Sequence, residues 1–109
     1  MTLKRLRQIL KALAEDTRLR ILNLLYAREL TVGDMCKILR VSQPTLSKHL
    51  ARLRLLRIVI DRRKGNLVYY SLNRATQSDY EKILGSFLAG FRDIEILKKD
   101  ITKLESSLH

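Results

Sequence analysis

Residues 31–55 constrain the fold most, because two short helical patterns lie there with only three residues between them. Thr31 begins the first pattern, and Asp34 takes the place of the usual Glu or Gln of a capping box. Ser42 begins the second, and Pro44 is tolerated because the N–H groups of a first helical turn have no intrahelical acceptor. The spacing predicts helices at about 31–39 and 43–55. Two helices joined in this way form a helix-turn-helix, whose second helix can enter the major groove of DNA.

The residues after this motif change from a helical to a strand pattern. Two β-prone runs, 58–63 and 67–72, flank a Gly65-Asn66 turn and predict a β-hairpin over about 58–72. A hairpin directly after the second helix is the wing of a winged helix. The basic residues near its tip predict contact with DNA phosphates or the minor groove, and simple solvent exposure is the alternative. These residues are Arg62, Arg63 and Lys64.

Positive charge is concentrated in the same region. The chain has 22 basic and 11 acidic residues, a net charge of +11, and residues 36–64 alone carry nine basic residues against one acidic. Regularly spaced leucines run through this segment, so it is a folded basic surface rather than a disordered tail. Such a surface suggests a polyanionic partner, and a solvated face that aids solubility is the alternative.

Length and composition predict a single domain over residues 1–109. The single cysteine, Cys36, excludes an intrachain disulfide and any metal site that needs two cysteines of one chain. The sequence contains no apolar run long enough to cross a membrane and no signal-peptide pattern, so we expect a cytoplasmic protein without a membrane partner. No pattern indicates a cofactor.

Helical patterns flank the motif on both sides. An amphipathic helix begins at Leu3 and ends near Ala14, and a core helix follows with Asp16 as its predicted N-cap. Residues 76–108 show heptad-like spacing and predict one helix about 45 Å long. That length exceeds what a small domain can cover, which favours a homodimer over a monomer with the helix folded back. The predicted fold is mostly α with a β-hairpin wing, in the order α-α-α-α-β-β-α, and dimeric through its terminal helices.

Four spaced segments resemble the ArsR/SmtB family of winged-helix repressors. They are LAEDTRLRIL at 13–22, ELTVGDM at 29–35, SQPTLSKHL at 42–50 and GNLVYYSL at 65–72. The resemblance implies a dimeric prokaryotic repressor that binds an imperfect inverted repeat in double-stranded DNA. It also implies release by an inducer, which in this family is often a metal or metalloid ion.

The second helix of the motif supplies the predicted DNA-binding residues. Gln43, Thr45, Ser47 and Lys48 lie near its N-terminal end, which contacts base edges in this docking mode. For Thr45 and Ser47, a purely structural role is the alternative. His49 is expected either to contact a phosphate or to be partly packed, and Arg52 adds positive charge.

The resemblance also shows where an inducer site departs from the family pattern. Arsenic- and cadmium-type members carry a cysteine pair at the positions of Thr31 and Gly33, and zinc- and nickel-type members use Asp and His on the C-terminal helices. Residues 76–108 contain no histidine, and His109 is terminal. We therefore predict no metal site and leave the inducer unknown. Cys36 is expected to be a small core residue, with a thiol sensor as the alternative.

Three function classes follow. The leading prediction is a sequence-specific DNA-binding transcriptional regulator that acts as a repressor. The alternatives are a winged-helix module that binds a protein partner and a repressor that senses through Cys36. An enzyme is not expected, because the sequence has no nucleophile-base pair and no glycine-rich phosphate loop.

Overall fold

A computed structural model describes residues 2–74, 80–91 and 93–107. It confirms the predicted winged helix-turn-helix. Its elements, in chain order, are α1 (Leu3–Leu13), α2 (Asp16–Ala27), β1 (Leu30–Thr31), α3 (Val32–Leu39), α4 (Gln43–Leu55), β2 (Val59–Lys64), β3 (Leu67–Leu72), α5 (Tyr80–Gly90) and α6 (Glu95–Ser107). Within the described ranges, no helix is long and apolar enough to span a membrane.

Short polar side chains set the starts of the helices in the motif. Thr31 Oγ1 accepts a hydrogen bond from the Asp34 N–H at 3.1 Å, and Asp34 Oδ2 accepts one from the Thr31 N–H at 3.2 Å. This reciprocal pair is the predicted capping box. Ser42 Oγ accepts from the Thr45 N–H at the start of α4, as predicted.

The predicted cap of α2 is wrong by one residue. Glu15, not Asp16, is the N-cap, because its carboxylate accepts a hydrogen bond from the Arg18 N–H at 2.8 Å. Asp16 instead begins the helix, where a negative charge in the first turn is favourable.

The sheet has three strands in the order β1-β3-β2, all antiparallel. Lys64 pairs with Leu67, so Gly65 and Asn66 form a two-residue turn. Gly65 has a φ of 64°, and Asn66 is not among the residues with positive φ, which is the pattern of a type II′ turn. The short strand β1, which was not predicted, pairs Leu30 with Tyr70 and fixes the wing against the start of α3.

The core lies between α1, α2 and the motif. In α2, every residue from Ile21 to Leu25 is buried, so the prediction of a core helix is confirmed. One face of α4 is also buried, through Leu46, Leu50 and Leu53, and this burial orients the opposite face outward.

The prediction of one long C-terminal helix is wrong. Helix α5 ends at Gly90, α6 begins at Glu95, and a turn lies between them. Gly90 is the last residue of α5, and glycine is common at the C-terminal ends of helices. The element order therefore has two C-terminal helices and an extra strand. Residues 75–79 and 108–109, which the predicted helix partly included, lie outside the described residues.

Helix α6 folds back onto α2 of the same chain. Its residues Leu97 and Leu104 are buried, and so is Asp100, whose carboxylate accepts hydrogen bonds from Arg20 Nε and Nη2 at 2.8 and 3.0 Å. The apolar stripe predicted to form a dimer seam is thus covered, in this part, by the chain itself.

Candidate nucleic-acid interface

The outward face of α4 carries the residues predicted to read bases. Gln43, Thr45, Ser47 and Lys48 are all exposed, as is Arg52 one turn later. Thr45 is partly engaged, because its Oγ1 accepts a hydrogen bond from Ser42 Oγ at 3.0 Å. The face is largely polar because the leucines of α4 are buried in the core, apart from Leu55 at its end.

His49 lies on the side of α4 that faces the α1–α2 junction. Its Nδ1 is 3.6 Å from Glu15 Oε2 and 3.4 Å from Arg18 Nη1, and 20% of its side chain is exposed. Of the two roles expected for His49, this placement favours the packed one. The side chain joins α4 to the start of α2.

The environment of Glu15 favours its charged form. Burial alone would raise the pKa of Glu15, but the N–H groups of Arg18 and Thr17 and the charges of His49 and Arg18 lower it. The pKa of Glu15 therefore lies below its ordinary value. A charged carboxylate is thus held beside α4.

On the wing, Arg62 is bound to the protein rather than free. It donates hydrogen bonds to Glu29, from Nη2 at 2.6 Å and from Nε at 3.2 Å, and its guanidinium lies 5.4 Å from the centre of the Tyr69 ring. Glu29 directly precedes β1, so this contact spans all three strands. We call the Glu29–Tyr69–Arg62 set the wing brace.

The other two basic residues at the tip differ from Arg62. Arg63 and Lys64 are exposed, and neither forms an ion pair within the described parts of the chain. Alternation along β2 places Arg63 on the strand face of Asp61, and Asp61 accepts from Arg54 of α4 at 3.3 Å. Arg63 therefore lies on the face of the wing that is turned toward α4.

Two further arginines have left-handed backbone conformations. Arg40, with a φ of 55°, ends α3, and Arg57, with a φ of 59°, follows α4. After α4, the Ile58 N–H donates to the Leu53 carbonyl and the Arg57 N–H donates to the Arg54 carbonyl, each at 2.9 Å. This is a Schellman motif with arginine at the position that usually holds glycine.

Sequence reasoning missed two contributors to this surface. Arg40 adds an exposed charge in the turn between the two helices of the motif. Glu29 was missed because β1 was not predicted, and its pairing with Arg62 depends on that strand. The signal in the sequence was an acidic residue, Glu29, directly before Leu30.

The structure offers no metal-binding cluster of three or more His, Cys, Asp or Glu side chains among the residues it describes. Cys36 is a free, half-buried thiol that packs against the core. His109 lies outside the described residues.

Comparison with known proteins identifies the family of this fold. The family model described as "Bacterial regulatory protein, arsR family" matches residues 15–61, which run from the cap of α2 into β2. The transcriptional repressor SdpR of Bacillus subtilis is 38% identical over 71 residues, covering 65% of this chain and 79% of SdpR. The chain belongs to the ArsR family.

Two further proteins are similar to this chain. The arsenical resistance operon repressor of Staphylococcus aureus is 42% identical over 79 residues, covering 72% of this chain and 76% of the repressor. The NMR structure of the homodimeric winged helix-turn-helix DNA-binding domain Mb0332 from Mycobacterium bovis has a TM-score of 0.69 at 27% identity. The match covers 83% of this chain and 82% of that domain. The likeness therefore includes most of the described fold.

Proposed function

We propose that this chain is a dimeric transcriptional repressor that binds an inverted repeat in double-stranded DNA. The observation that carries the proposal is the outward face of α4, polar along its N-terminal half and flanked by a basic wing. A repressor that occupies its operator blocks transcription without chemistry, so we propose no enzymatic activity. Its place of action is the cytoplasm.

The exposed residues divide into two roles. Gln43 and Ser47 read base edges, with Thr45 beside them, because amide and hydroxyl groups pair with the donors and acceptors of the major groove. Lys48, Arg52, Arg63 and Lys64 hold phosphates, because they are exposed cations without an ion-pair partner among the described residues.

Two residues first predicted to contact DNA receive a different role in this proposal. Arg62 acts through the wing brace, since its charge is already paired with Glu29. His49 acts by holding α4 against Glu15 and Arg18. Both are positioning residues.

Dimerisation is proposed through α1 and α5 rather than through a long seam. Leu3 and Leu10 of α1 are 76% and 48% exposed, and Phe91, directly after α5, is 44% exposed. The Phe91 ring contacts the Phe87 ring in a tilted arrangement, with centroids 4.8 Å apart, which forms an aromatic patch. A second copy would cover these apolar surfaces, in keeping with the homodimeric state of the Mb0332 domain.

The inducer is proposed to act outside both common metal sites of the family. Thr31 and Gly33 occupy the positions of the cysteine pair, and Thr31 is committed to capping α3. A lone thiol at Cys36 cannot supply a site of several sulfur ligands.

Selection from a random duplex library with the purified full chain tests the function. We expect enrichment of an inverted repeat whose half-sites lie one helical turn, about 10 base pairs, apart. Failure to enrich any sequence over several rounds, with a known ArsR-family protein succeeding in parallel, would contradict the proposal.

A further inference from the structure

A cavity of about 670 Å³ lies between α2, α5 and α6, away from the predicted DNA surface. Its apolar lining comes from all three helices, through Ala27, Leu88, Leu97 and Ile101. The volume is within the range of about 300–1,000 Å³ that is usual for small-molecule sites. The chain therefore contains space for a ligand whose body is apolar.

Asn23 gives the cavity a hydrogen-bonding requirement. Its side chain lines the cavity and the residue is only 8% exposed. Its Nδ2 donates to the Leu97 carbonyl at 3.3 Å, and this bond fixes which end of the amide is the donor. Asn23 Oδ1 has no donor among the described residues. A buried carbonyl oxygen normally has a partner, so this atom calls for a donor from outside the described chain.

The charge of the described lining residues also favours a ligand that donates hydrogen bonds. Asp93 and Glu105 both line the cavity, and neither forms an ion pair with any described residue. Lys98 is the one cation among the described lining residues, so those residues together have a net charge of −1 in a chain of net charge +11. Tyr26 adds an aromatic side chain. Unpaired acceptors and excess negative charge favour a ligand that donates hydrogen bonds and is positively charged.

We propose that this cavity binds a small organic amine. The apolar body of the amine packs against Leu88, Leu97 and Ile101. Its ammonium group donates to Asn23 Oδ1, and the Asp93 and Glu105 carboxylates, at opposite ends of the α6 side of the lining, make the cavity favourable for a positive charge. A carboxylic acid of the same size is disfavoured, because it would bring a second acceptor to Asn23 and a third negative charge to the lining.

The cavity is linked to the DNA-binding motif through α6. One side of α6 lines the cavity, α6 also packs against α3, and the Arg20–Asp100 pair ties it to α2. An amine that bridges α2, α5 and α6 would change how α6 supports α3. This regulatory step rests on the proposed function, whereas amine binding itself does not.

Three probes with one apolar body test the site: 4-phenylbutylamine, 4-phenylbutanol and 4-phenylbutanoate. Each is titrated into the full chain by calorimetry, with NMR shifts to locate the contact. We expect the amine to bind at least about tenfold more tightly than the acid, with shifts at Asn23 and Leu97. Equal affinity for amine and acid, no binding of the amine, or shifts confined to other surfaces would overturn the proposal.

Single-carboxylate variants make the test specific. Glu105→Gln and Asp93→Asn should each weaken amine binding about threefold and leave alcohol binding unchanged, because they remove one charge at an exposed position. Glu95→Gln is the matched control, since Glu95 is an exposed α6 residue outside the cavity lining. An equal loss in the control would overturn the assignment. Asn23→Leu should reduce amine affinity at least about tenfold. If this variant does not fold, the Glu105→Gln and Asp93→Asn variants test the site in its place.

The regulatory step is measured separately, as the affinity for a DNA duplex with and without saturating amine. A decrease of at least about fivefold is expected for a coupled site. Amine binding with unchanged DNA affinity would overturn the regulatory step alone. Absence of any DNA binding by the free chain would contradict the proposed function and leave the amine site standing.

Discussion

Arg62 of the wing holds Glu29, the residue before β1, through two hydrogen bonds of 2.6 and 3.2 Å. The hydrogen bond from Arg62 is the main cause that lowers the pKa of Glu29, which favours the charged form of the carboxylate. Because Tyr69 of the central strand lies under the guanidinium, the contact ties both edges of the small sheet together. The wing is thus held in a fixed direction relative to α3.

A charge exchange distinguishes this positioning role from phosphate contact. Glu29→Arg and Arg62→Glu should each weaken DNA binding, and the double variant should recover most of the loss, because the pair is restored with opposite polarity. Affinity for a selected duplex is measured by fluorescence anisotropy.

The control for the exchange combines Arg62→Glu with Glu95→Arg on α6, which restores the net charge but not the brace and should show no recovery. If Arg62 binds phosphate directly, the Glu29–Arg62 double variant will also fail to recover. That result would return Arg62 to the set of DNA-contacting residues.

Acid should weaken the fold through Glu15. Its pKa is lower in the folded chain than in the unfolded chain, so its contribution to stability is present above its ordinary value of 4.5 and is lost as the pH falls through the folded value. The free energy of unfolding, measured with urea, should therefore differ more between the parent and Glu15→Gln at pH 7 than at pH 3. The same difference at both pH values would show that the charge of Glu15 does not stabilise the fold.

The left-handed backbone conformation of Arg57 should lower the stability of the fold. A side chain at a left-handed position costs about 1 kcal/mol, so Arg57→Gly should raise the free energy of unfolding by about that amount. Arg57→Ala keeps the β-carbon and should give no such gain, which makes it the matched control. Equal stability of the Gly and Ala variants would mean that the backbone at this position is not strained.

Local chemistry explains which parts of the fold were predictable. The Thr31–Asp34 capping box, the Ser42 cap and the Gly65 turn depend on residues within four positions of one another, so the sequence alone predicts them. The same holds for the outward face of α4, since its leucine spacing fixes which side is buried.

Tertiary contacts explain what was missed. The strand β1 exists because β3 pairs with it, and two residues carry no periodic signal of their own. The apolar spacing of Leu97 and Leu104 is the same for a helix that packs on α2 as for one that meets a second chain. The brace likewise joins residues 33 positions apart, Glu29 and Arg62.

The dimer proposal predicts a specific weak point at Phe91. Replacing Phe91 with Ala should weaken dimerisation by about 1–2 kcal/mol, because the ring is exposed in the single chain and would be covered by a second copy. Leu55→Ala is the control, since Leu55 is 78% exposed but lies on α4. Sedimentation equilibrium measures both. An unchanged dimer in the Phe91 variant, or an equal effect of the Leu55 variant, would place the interface elsewhere.

The most direct test of the central claim is the affinity of the full chain for a selected inverted-repeat duplex and for a scrambled duplex of the same composition, across a series of salt concentrations. We predict that affinity for both falls steeply with salt, and that the selected duplex binds at least about 1,000-fold more tightly at physiological salt. Gln43→Ala should reduce that preference by about 1–3 kcal/mol at one base pair of each half-site and leave the salt dependence unchanged. Equal affinity for the two duplexes at every salt concentration would contradict sequence-specific recognition by α4.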